Sequence, residues 1–89
     1  MKPVAFSTSQ FHHPKLIITL DGQPVRKCFN VNEAEGWADV WSVNEQGKTY
    51  RIEGTRTPAS ERRYGVVTAE CPPEIRAFLE RLYAVEVVV

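Results

Sequence analysis

Histidine is scarce in this chain: His12 and His13 are its only two, side by side near the start. Adjacent residues of an extended segment point to opposite sides, so the pair does not converge on one ion. Neither an HxH nor an HExxH spacing occurs, and no His-plus-carboxylate cluster lies nearby. The same scarcity removes the usual base for a serine or cysteine nucleophile. A GxSxG elbow and a glycine-rich phosphate loop are both missing. Paired carboxylates could come from Glu33, Glu35 or Asp39. Glu33 and Glu35 fall in a predicted hairpin turn, where solvated acids are commonplace. The expectation is a non-enzymatic protein with no metal and no cofactor.

Cysteine is equally sparse. Cys28 and Cys71 stand far apart, in no CxxC-type spacing, and read as two free thiols buried as small apolar side chains. No apolar run approaches the roughly 18 residues that span a bilayer. The opening segment, Met1 to Ser9, has no continuous apolar stretch of the signal-peptide kind. No membrane association is expected.

Charge of one sign is not in excess either: 11 Lys and Arg balance 11 Asp and Glu. A protein that coats nucleic acid without regard to sequence is expected to be basic. The charges are nevertheless zoned. Residues 28–50 carry Glu33, Glu35, Asp39 and Glu45 against Lys48, and residues 51–63 carry Arg51, Arg56, Arg62 and Arg63 against Glu53 and Glu61.

What is present is a β pattern. At 89 residues the chain is one domain with a small core. Residues 1–14 read as an extended N-terminal arm, anchored by Phe6 and Phe11 if it packs, and residues 15–89 as a single β-rich domain. Lys15–Leu20 is a β-branched strand, and Asp21-Gly22 supplies a tight hairpin turn. Val25–Val31, Trp37–Val43, Lys48–Glu53 and Arg62–Ala69 continue as strands between turn signals. Apolar residues at Ile75, Phe78, Leu79 and Leu82 then take helical spacing. That predicts an amphipathic helix over about 73–83 with Arg76, Glu80 and Arg81 on its wet side. The apolar end, Val85 to Val89, predicts a terminal strand. The fold class is therefore α+β: a small bent antiparallel sheet or barrel of five to six strands, one C-terminal helix and a terminal strand. In that arrangement Trp37 and Trp41 share one strand face. They are expected in the core with Phe29, Tyr50, Ile52, Phe78 and Leu82, and Asp39 between them must then find a partner or sit at the rim.

The residues Leu20-Asp21-Gly22-Gln23-Pro24-Val25, Phe29 to Val40 with its acidic turn and Gly36-Trp37, Gly47-Lys48 and Gly65-Val66-Val67-Thr68 resemble a group of small tailed-bacteriophage and prophage β proteins. Those share a DGxxV hairpin and an acidic GWxxV hairpin. The resemblance covers about residues 16–68. It implies no catalytic residues, and it implies a phage setting in the host cytoplasm or the virion.

The expected function is a phage protein-interaction module, a virion-assembly or accessory structural component with a phage or host protein as partner. The alternatives are an inhibitor of a host enzyme or defence complex, acting through the acidic 33–39 hairpin, and a small single-strand nucleic-acid binder. Candidate contact residues are Phe6, Phe11, Glu33, Glu35, Asp39, Arg56, Arg62, Arg63, Val87 and Val89. Self-association is expected through the C-terminal strand.

Overall fold

Asp21 and Gly22 both have positive φ, 51° and 84°. That pair of left-handed residues is what a type I′ hairpin requires. They join β2 (Ile17–Leu20) to β3 (Gln23–Pro24), with Leu20 opposite Gln23. A computed structural model describes residues 2–85 of the chain. Of the predicted terminal strand, Val85 N donates to Pro3 O at 2.9 Å beside an antiparallel bridge between Ala84 and Val4; the rest, with Val87 and Val89, lies outside the described residues. The other elements are β1 (Ala5–Ser7), β4 (Cys28–Asn32), β5 (Trp37–Trp41), β6 (Ser60–Tyr64), β7 (Val67–Glu70) and α1 (Pro73–Tyr83).

The protein is α+β, but the strands form two antiparallel sheets rather than one sheet or a barrel. One has the order β1-β4-β5-β6 and the other β3-β2-β7. The break falls inside the predicted strand 62–69, at Gly65. There the β4–β5 turn comes close: Gly65 N donates to Gly36 O at 3.0 Å, and a Cβ on Gly36 would lie 2.7 Å from Gly65 O. One residue on, the Asp21 carboxylate accepts from Val66 N at 2.9 Å, and Asp21 N donates to Val66 O. The chain is thus handed from β5 to β2, and β6 and β7 end up in different sheets. The strand expected from Val25 starts late, at Cys28, because Lys27 takes a left-handed φ of 59°.

The expected strand over 48–53 is also replaced. Ser42 pairs with Ala59, and the chain between them forks into two short hairpins held by the bridges Val43–Thr49 and Arg51–Pro58. Tyr50 and Ile52, expected in the core, are close to half exposed on this fork.

The core is Val4, Phe6, Ile18, Val31, Ala38, Val67, Ala69 and Leu79. The N-terminal arm supplies two of these, and Phe11 and Tyr83 pack edge-on and tilted against Phe6. Burial of Cys28 and Cys71 is partial, and desolvation raises both thiol pKa values.

At the seam between the sheets lies an ion pair that hydrophobic periodicity does not anticipate. Arg76, expected on the wet side of α1, is buried, whereas Phe78 and Leu82 are 42% and 55% exposed. Its partner is Glu33, from a turn where a solvated acid is the expectation; the side chains are 9% and 7% exposed. Glu33 Oε1 accepts from Val4 N and Oε2 from Ala69 N. Glu33 thereby joins the arm to the edge of β7. Arg76 Nη2 donates to Glu33 Oε1 and Lys2 O, both at 2.7 Å. Nη1 donates to Glu33 Oε2 and Ala69 O, and Nε to Glu80 Oε2. All five guanidinium N–H groups are used. The hydrogen bonds to Glu33 hold the Arg76 pKa well above its ordinary value. A buried carboxylate at the seam needs a cation, and this need rotates the helix so that Arg76 faces inward.

Candidate functional site

The four-stranded sheet buries one face and presents the other. Val31, Ala38 and Val40 point inward. Alternation therefore turns Trp37, Asp39 and Trp41 of β5 outward. The β5–β6 register places Trp37 beside Tyr64, Asp39 beside Arg62 and Trp41 beside Ser60. On the other side, Asn32 lies opposite Trp37 and Asn30 opposite Asp39. A register shift between Cys28 and Asn30 re-aims Phe29, which stacks on Trp41 with ring centroids 3.9 Å apart. The tryptophans are thus half-buried on the outer face, not in the core. Of their expected neighbours, Phe29 alone keeps its place.

Asp39 finds its partner there. Arg62 Nε donates to Asp39 Oδ1 at 2.8 Å and Nη2 donates to Oδ2 at 3.1 Å. Asn30 Nδ2 donates to Oδ2 as well. The guanidinium also lies over the Trp37 ring, 3.7 Å from its centroid, a cation–π arrangement. Trp37 Nε1 donates to Glu35 Oε2 at 2.7 Å. The face is therefore a row of aromatic rings, with Phe29 and Trp41 stacked on each other and Trp37 held under the guanidinium of a two-point ion pair. Tyr64, 70% exposed, stands at its rim.

The Arg62 hydrogen bond lowers the Asp39 pKa below its ordinary 3.8. A depressed carboxylate contributes stability that is complete above the ordinary value and is lost as pH falls through the lower folded value. Protonation would free Arg62 and uncover Trp37. In a Trp41→Phe background the Trp37 emission is expected to shift red with a midpoint below pH 3.8. Arg62→Gln should start red-shifted and lose that transition; an unchanged transition would show that the pair does not control the ring.

The other predicted contact residues scatter. Phe6 is core and Phe11 is partly buried against Phe78. Glu33 is fully engaged at the seam, Glu35 holds Trp37, and Asp39 holds Arg62. The acids of the 33–39 hairpin are thus each committed to a different partner rather than aligned in a row. Arg56 is exposed on the fork, and Arg63 pairs with Glu61 on the opposite face of β6. Phe29, stacked on Trp41, is the member of the site that the sequence pattern assigns to the core. The available signal was Asp39 itself, a charge between two tryptophans with an arginine in the next strand.

Among the described residues no group of three or more His, Cys, Asp and Glu side chains is placed to hold a metal ion. Among them, too, no helix is long and apolar enough to cross a membrane. Compared with protein-family models, curated proteins and solved structures, the chain has no significant match.

Proposed function

We propose that the protein is a non-enzymatic protein-interaction module whose binding surface is the outer face of the four-stranded sheet. In the phage setting suggested by the sequence resemblance, it would serve as a virion-assembly or accessory component. The observation that supports this reading most is the pairing of partly buried tryptophans on the outer face with a charge-neutralised arginine. Trp, Tyr and Arg dominate the energetics of protein interfaces. Rings already fixed by stacking and by the Asp39–Arg62 pair lose little entropy on binding. Single-strand nucleic-acid binders use aromatic rings too, but beside a groove of free cations. Here Arg62 is paired with Asp39 and Arg63 with Glu61.

The test is affinity capture with two baits, the wild-type protein and a Trp41→Ser, Tyr64→Ser variant. A partner protein enriched by the first bait should be depleted at least about tenfold with the second, a loss of about 1.4 kcal/mol. Equal capture would contradict the proposal. So would a salt-dependent oligonucleotide shift that the variant abolishes.

A further inference from the structure

We propose that β6 is a self-complementary edge through which two copies of the chain pair antiparallel, joining their four-stranded sheets into one. This interface uses the edge of the sheet, so it is independent of the proposed role of the outer face.

Among the described residues β6 is terminal in the sheet order, and each of its five residues is exposed. The ladder with β5 is bracketed by Gly65 N donating to Gly36 O and Ser42 N donating to Ala59 O. Alternation then directs the backbone groups of Glu61 and Arg63 at β5, and those of Ser60, Arg62 and Tyr64 at the open edge. A two-fold axis at Arg62 puts Ser60 opposite the second copy's Tyr64, and Arg62 opposite the second copy's Arg62. The open N–H and C=O groups then all meet partners. In the same register Glu61 lies opposite the second copy's Arg63, and Arg63 opposite its Glu61. These are the closely spaced, non-hydrogen-bonded positions, where cross-strand side chains interact most.

Charge decides both the register and the occupant. Shifting the axis to residue 61 sets Glu61 against Glu61, and shifting it to residue 63 sets Arg63 against Arg63. Among the registers that set the open backbone groups against one another, only the Arg62-centred one pairs opposite signs twice. Its one like-charge contact, Arg62 against Arg62, is relieved because each guanidinium is folded over its own Trp37 and bound to its own Asp39. Charged residues commonly guard an edge against pairing. This edge carries no proline between Ser60 and Tyr64, and its charges are self-complementary in the one antiparallel alignment that also satisfies the backbone. An isologous contact of this kind closes at two copies.

Sedimentation velocity over a concentration series tests the pairing. The wild type should show a monomer–dimer equilibrium. Glu61→Arg and Arg63→Glu should each weaken it at least about tenfold, because each sets like charges against one another across the axis. An equimolar mixture of the two variants should dimerise again, since positions 61 and 63 are then both basic in one chain and both acidic in the other. Far-UV circular dichroism of each variant should match the wild type, as both side chains are exposed. A wild type that stays monomeric throughout, or variants that fail to rescue each other, would overturn the proposal. Neither result bears on the Trp41→Ser, Tyr64→Ser capture, because that variant leaves Glu61 and Arg63 intact.

Discussion

Arg76→Met is expected to destabilise the protein by about 3–5 kcal/mol, the usual cost of leaving one member of a buried ion pair alone. For a domain of this size that is a large share of a total stability of roughly 5–15 kcal/mol. The melting temperature should fall by at least about 12 °C. The cause is specific. Glu33 would keep its hydrogen bonds from Val4 N and Ala69 N, but its buried charge would lose both guanidinium hydrogen bonds that compensate its desolvation. Glu33→Gln should also destabilise, since the amide nitrogen cannot accept from a backbone donor as the second carboxylate oxygen does. The two changes together should cost less than their sum by on the order of 0.5–3 kcal/mol. Chemical denaturation of the four proteins checks the cycle. Simple additivity, or an Arg76→Met loss within about 0.5 kcal/mol, would show that the seam does not hold the sheets together.

Removing residues 1–7 is expected to abolish cooperative folding. The deletion takes away β1, the core side chains Val4 and Phe6, and the Lys2 carbonyl that receives Arg76. Truncating a buried phenylalanine alone costs about 3–5 kcal/mol. It also strips the edge of β4 and leaves Glu33 Oε1 without Val4 N. The thermal transition seen by circular dichroism should disappear. A truncated chain that melts at the wild-type temperature would contradict this account of the arm. A practical consequence follows: deleting the arm does not separate binding from folding, whereas substitutions on β5 and β6 do.

The parts of the fold that follow from local chemistry were legible in the sequence. The Asp21-Gly22 hairpin, the turn ending in Gly36 and the span of α1 depend on neighbours along the chain, and all three stand where expected. The parts that depend on distant partners were not. Apolar periodicity puts Phe78 and Leu82 inward and Arg76 outward, because a 3.6-residue pattern does not know that a carboxylate from residue 33 is waiting at the seam. Strict alternation correctly puts Trp37, Asp39 and Trp41 on one face, but aromatic bulk then assigns that face to the core. Asp39 is the contrary sign. Its charge is satisfied by Arg62, a residue on the next strand across a long forked connection, and that pairing marks the face as the outer one. Gly65 looks like an interior strand residue, yet the close approach of Gly36 and the Asp21 bonds to Val66 make it the point where the chain changes sheets.

A protein partner is proposed to dock on the ring-bearing face of β5 and β6. The most direct measurement is a nuclear magnetic resonance titration of the isotopically labelled protein with the captured partner. The Trp37 and Trp41 indole N–H signals and the amides of Arg62 and Tyr64 should shift or broaden together, while the amides of α1 stay in place. Perturbations confined to the forked segment between Ser42 and Ala59, or to α1, with both indole signals unmoved, would contradict it.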